Sequence, residues 1–105
     1  MTDFTKILQQ AQQMQERFQQ VQEELQSKSV SASSGGGMVT VSADGKGQVR
    51  AIKIDPTVVN PADVEMLEDL VLAAVAEAQK KAADVAQQEM KKLTGGLPLP
   101  FKLPF

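Results

Sequence analysis

The sequence predicts an α+β fold: a long N-terminal helix, a three-stranded antiparallel meander, a long C-terminal helix and an extended Pro-rich tail. Three observations carry this prediction. Apolar residues recur at alternating steps of three and four over residues 4–25, the spacing of a helical packing seam. β-branched runs broken by glycines fill residues 29–55, as short strands and tight turns do. A second helical stripe starts after Asn60-Pro61 and stops before Gly95-Gly96, residue types that favour helix starts and ends. Residues 1–96 are thus expected to form one helix–sheet–helix domain, and residues 97–105 an extended Pro/Phe tail.

The first helix carries Phe4, Ala11, Phe18 and Leu25 at one heptad position and Ile7, Met14 and Val21 at the other, with Leu8 widening the seam. Asp3 or Thr2 is placed to cap it. Its other faces are mostly Gln, a fair helix former that is polar without charge. From residue 3 to 27 such a helix is a rod of about 37 Å. A rod this long on so small a chain is expected to protrude, or to lie along another helix of similar length.

Residues 29–33 alternate small or apolar with polar side chains and read as a first strand. Gly35-Gly36-Gly37 turns the chain, and the β-branched residues 38–42 form a second strand. Ala43-Asp44-Gly45-Lys46-Gly47 is a hairpin turn. A third strand spans residues 48–55, where the step of three from Val49 to Ile52 predicts a bulge or a two-sided buried end. Asp55-Pro56 ends the sheet.

Asn60 then caps the second helix and Pro61 takes its first position. Asp63 and Glu65 sit where the macrodipole favours acids. Val64, Leu67, Val71, Ala74, Ala78, Ala82 and Val85 make its stripe, widened early by Met66, Leu70, Leu72 and Val75. The first half is expected to be buried on the sheet, and the Ala-rich second half to form a slimmer arm. The tail, with Pro98, Pro100 and Pro104, excludes helix and favours an extended path.

Composition narrows the function. The chain has 105 residues, a net charge of −2, and no Cys or His. That removes disulfides, the usual zinc ligands and most nucleophile–base pairs. Glu65, Glu68 and Asp69 cluster at helical spacing but read as a solvated face near a helix start. Gly35-Gly36-Gly37 does not open a helix and lacks a following Lys-Ser/Thr, so it reads as a turn rather than a phosphate cradle. Neither catalysis, nor a cofactor or metal, nor a small-molecule substrate is expected. No signal pattern or membrane span is evident, so the expected location is cytoplasmic.

The cations are the candidate contact residues. Lys6, Arg17 and Lys28 recur every eleven residues. Eleven residues are about three helical turns, so successive cations drift by only about 20° and stand roughly 16 Å apart. Spacing alone leaves two readings, a ladder for phosphates with Gln amides between the rungs or a solubilising face, and weighs toward the second. Lys80, Lys81, Lys91 and Lys92 lie in the C-terminal half of the second helix, away from Asp63, Glu65, Glu68, Asp69 and Glu77.

Five segments taken in order resemble one family. They are Gln10-Ala11-Gln12-Gln13-Met14-Gln15-Glu16, Gly36-Gly37-Met38-Val39-Thr40-Val41, Ile52-Lys53-Ile54-Asp55-Pro56, Glu65-Met66-Leu67-Glu68-Asp69-Leu70-Val71 and the closing Pro-Phe-Lys-Leu-Pro-Phe. Their order and spacing resemble the YbaB/EbfC family of bacterial nucleoid-associated proteins across nearly the whole chain. The resemblance implies a homodimer with helical arms projecting from a central body. It implies duplex DNA as partner, bound with little sequence preference, and a role in nucleoid organisation or gene regulation. The residues then expected to contact DNA are Lys6, Arg17, Lys28, Lys80, Lys81, Lys91 and Lys92. A competing reading is a prefoldin-like scaffold that grips protein clients with apolar arm tips.

Overall fold

The structure is a computed structural model that describes residues 2–94. Helix α1 (Thr2–Ser27) leads into strands β1 (Ser29–Ser34), β2 (Val39–Asp44) and β3 (Val49–Ile54), followed by helix α2 (Val64–Thr94). The strands form one antiparallel sheet in the order β1-β2-β3. The expected α+β meander between two long helices is the observed fold. The expected helix stop at Gly95-Gly96 and the tail at 97–105 lie outside the described residues.

Gly35, Gly36 and Gly37 join β1 to β2 with φ of 60°, 68° and 96°. This left-handed backbone is one that glycine adopts without a Cβ penalty. The hairpin between β2 and β3 is tighter than expected, because Ala43 and Asp44 remain paired in the ladder. The step from Val49 to Ile52 has its explanation in β3. Ala43 pairs with Val49 and Ser42 with Ala51, so Arg50 is the extra residue of a β-bulge.

One face of the sheet carries the core. Val39, Val41 and Ala43 alternate along β2 and, with Ala32 of β1, are buried beneath α2. The helix answers with Ala74, Ala78 and Ala82, each 0 % exposed. The first half of α2 packs on the sheet as expected, with Leu67, Leu70, Val71 and Val75 half-buried against this cluster. Its large early residues are not uniformly buried, since Val64, Met66 and Leu72 stand exposed. Ala74 and Ala78 are the α2 residues fully enclosed in that cluster, because a short side chain lets the helix axis approach the strands closely. Ser34 Oγ donates to the Leu70 carbonyl at 2.6 Å and Lys81 Nζ to the Ser31 carbonyl at 3.0 Å, fixing α2 along β1.

The start of α2 also differs from expectation. Asn60-Pro61 builds a turn in which the Asn60 side chain accepts from the Ala62 amide at 3.0 Å. The cap is Asp63, whose carboxylate accepts from the Met66 amide at 3.2 Å. Asp and Asn compete as caps on equal terms, and here the turn claims Asn60 and leaves the cap to the later residue.

Candidate functional site

α1 and α2 have 26 and 31 residues, about 39 and 46 Å at the α-helical rise. Laid end to end they would reach about 85 Å, whereas the long axis of the molecule is 73 Å. They therefore overlap over only about 12 Å. The overlap is apolar: Phe18, Gln22 and Leu25 share a groove with Ala86, Gln87 and Met90. Leu25 is buried, while Met14 and Val21 are half-buried. Phe4, Ile7 and Ala11, with Leu8 beside them, are exposed, and Phe18 is 44 % exposed. The seam thus closes on α2 only at its C-terminal end, and the rest of α1 projects as an arm.

The base of the arm is held by polar contacts. The Gly45 amide donates to the Leu25 carbonyl at 2.7 Å, docking the β2–β3 hairpin against the end of α1. Asp44, 2 % exposed, accepts from the Lys46 and Gln48 amides and from the Arg50 guanidinium at 3.0 Å. The Gln48 amide, with help from Lys46 and Arg50, holds its carboxyl below the ordinary range.

The seven candidate cations separate into two sets. Lys28 lies one residue past the end of α1, and its ammonium meets Glu89 of α2 at 2.8 Å. Lys92 approaches the same carboxylate oxygen at 3.4 Å. The hydrogen bond from Lys28 holds the Glu89 carboxyl below its ordinary range and raises Lys28 in turn. Lys81 is engaged with the Ser31 carbonyl. Lys28 ties the end of α1 to α2, Lys92 joins it on Glu89, and Lys81 ties α2 to β1.

Lys6, Arg17, Lys80 and Lys91 are exposed. Lys6 and Arg17 stand on one side of α1, and Gln10 and Gln13 lie between them at helical steps on that side. Lys80 and Lys91 repeat the eleven-residue interval on the side of α2 turned away from the sheet. The sequence held that second interval as plainly as the first. The pairing of Lys28 with the carboxylate at position 89 left no trace in the spacing.

A second surface went unnoticed in the sequence. Ile52 and Ile54 pair with Val41 and Val39 on the helix-facing side of the sheet, but α2 lies on β1 and β2. They are 46 % and 39 % exposed. β3 is also an edge strand of the sheet. Among the described residues no helix is long and apolar enough to cross a membrane.

Comparison with known proteins finds relatives across nearly the whole chain. Residues 1–97 match the model of the YbaB/EbfC DNA-binding family. A nucleoid-associated protein from Gemmatimonas aurantiaca is 58% identical over 98% of this chain and 99% of its own length. One from Clostridium novyi is 54% identical over 90% of this chain and 82% of its own length. One from Rhodospirillum rubrum is 48% identical over the full length of both. A crystal structure of an uncharacterized protein from Helicobacter pylori shares the fold, with a TM-score of 0.72 at 24% identity over 90% of this chain and 95% of that one.

Proposed function

The chain belongs to the YbaB/EbfC DNA-binding family, and from that premise we propose that it is a nucleoid-associated protein gripping duplex DNA through the projecting arms of a homodimer. The observation that carries this reading is the stripe Lys6, Gln10, Gln13, Arg17 on the part of α1 that stands clear of the body. Phosphate contacts from such cations position a protein without reading sequence, so little sequence preference is expected. α1 also carries Asp3, Glu16, Glu23 and Glu24, so binding is local, weak and salt-sensitive. The acids at the start of α2 lie at the far end of the molecule, beyond the roughly 8–10 Å over which salt leaves charges in contact. Lys80 and Lys91 extend the contact surface, while Lys28, Lys81 and Lys92 contribute charge from braced positions. No catalytic step belongs to this function.

The dimer is supported by Ile52 and Ile54, exposed on one face of an edge strand, the kind of surface that a second chain covers. Ile52→Asp is expected to shift the mass in solution from dimer to monomer. In the cell a labelled chain is expected to follow the nucleoid, where doubled arms would organise DNA or alter transcription.

The direct test is a gel shift with duplexes of unrelated sequence at about 50 mM salt. All are expected to be retarded to a similar degree, with retardation lost as salt rises. Failure to retard any duplex would sink the proposal. Exposed Phe4, Ile7 and Leu8 favour one rival, the scaffold that holds unfolded protein. Under that reading the chain suppresses client aggregation and DNA does not compete for the arms.

A further inference from the structure

The arm poses a physical problem that DNA contact does not solve. Phe4, Ile7 and Leu8 are 66 %, 59 % and 51 % exposed, in a stretch of α1 that has no packing partner among the described residues. The unsupported length is about 27 Å, or roughly 18 residues, close to the length at which isolated helices are only marginally stable in water. Gln-rich sequence adds little beyond average propensity. An apolar strip on such a helix calls for a cover.

We propose that the cover is the chain's own C-terminal segment, residues 97–105, lying along the seam of α1 in the direction in which α2 ends. Three observations choose it over a second copy. The first is position. α2 runs to Thr94, and its last turns pack beside Phe18, so the segment begins where the exposed seam begins. The second is reach. The eleven residues after Thr94 extend about 34 Å in a polyproline-like path, enough to span the overhang of about 27 Å.

The third observation is pattern. Leu97, Leu99, Phe101, Leu103 and Phe105 alternate with Pro98, Pro100, Lys102 and Pro104. In a strand-like extended path every second side chain falls on one face, at a step of about 6.6 Å, near the mean seam step of about 5.3 Å along α1. The prolines fix φ in advance, so less entropy is lost on docking. Covalent attachment raises the local concentration of the segment well above that of a separate chain. Lys6 and Arg17 sit on the flank of the seam, so this cover leaves their stripe open. The proposal stands whether or not the chain binds DNA.

The absence of Cys from the sequence permits a clean test on the full chain. A nitroxide is attached to Lys102→Cys and amide signals of α1 are recorded. Signals from residues 4–11 are expected to lose most of their intensity, while Val39 and Val41 in the sheet keep theirs. Unaffected signals on the arm overturn the proposal. A second sample mixes spin-labelled chains without isotope and isotope-labelled chains without spin. If the arm signals are broadened there at all, the cover comes from the other copy and the assignment to the chain's own segment falls. In Phe101→Ser/Phe105→Ser, hydrogen exchange at residues 4–14 is expected to quicken by about tenfold or more with the sheet unchanged. Unchanged exchange on the arm in that variant also overturns the proposal.

Discussion

Replacing both outer cations of the arm, Lys6→Ala/Arg17→Ala, offers the most quantitative check on DNA binding. The two side chains are exposed, lie on one side of α1 and are engaged by no other side chain among the described residues. If each meets one phosphate, its loss lowers the slope of log K against log salt by about 0.9. A dimer using both arms loses four such contacts, a change in slope of about 3.6. Between 50 and 200 mM salt each contact accounts for about a 3.5-fold change in affinity, so the four together account for about 150-fold. The measurement is a fluorescence-anisotropy titration of a labelled duplex across that salt range, at a protein concentration where wild type and variant have the same mass. Lys53→Ala, a cation lost from the sheet, is the control for net charge and should change the slope by less than about one. Parallel salt plots for wild type and the double variant would show that the arm stripe does not touch phosphate.

Three further outcomes follow from packing and charge. A Cβ at Gly45 would sit 2.6 Å from the Leu25 carbonyl oxygen and 3.1 Å from its Cα, so Gly45→Ala is expected to lower the urea unfolding free energy by about 1–3 kcal/mol. Both groups are backbone and have no rotamer of escape, and an unchanged midpoint would contradict this hairpin contact. Ala78→Leu, under the sheet at 0 % exposure, should cost a similar 1–3 kcal/mol by overpacking, whereas Lys80→Leu on the opposite face should stay within about 0.5 kcal/mol. The pH profile tests the brace. Glu89 and Asp44 have carboxyls depressed by Lys28 and by the Gln48 amide respectively. Their contributions are complete above the ordinary carboxylate pKa near 4 and vanish as pH falls through the lower folded-state values. Lys28 is raised above its ordinary 10.5, so its contribution is complete below that pH and lost as pH climbs through the higher value. Thermal midpoints are therefore expected to be flat near neutrality and to fall in acid, with a shallower fall for Glu89→Gln. A midpoint that rises on acidification from pH 5 to pH 3 contradicts the assignment.

Local chemistry made the elements legible in the sequence. The three-and-four spacing on α1, the β-branched runs and the three adjacent glycines specify helix, strand and turn through interactions within a few residues. The β3 bulge was legible for the same reason, because one extra residue shifts the side-chain alternation directly. The family, too, could be read from the order of its segments. Burial was harder to read, because it depends on what lies opposite. Val64 and Ala78 belong to one stripe, and only where the sheet lies along α2 decides that the alanine is the one enclosed. The sequence pointed to Asn60 as the cap, and only the turn that engages its side chain left that place to Asp63.

The same limit applies to the surface assigned to DNA. The sequence by itself determined that Lys6 and Arg17 share a side of a long Gln-rich helix, since helical pitch alone sets that. It could not determine that Lys28 is drawn away to Glu89, because the two are 61 positions apart and meet only when α1 and α2 cross. Nor could it show that the seam from Phe4 to Leu25 closes at one end and stays open at the other. That follows from the short overlap of the two helices, a matter of where the sheet places their ends. Periodicity fixes which residues share a face, and tertiary structure decides which of those faces is covered.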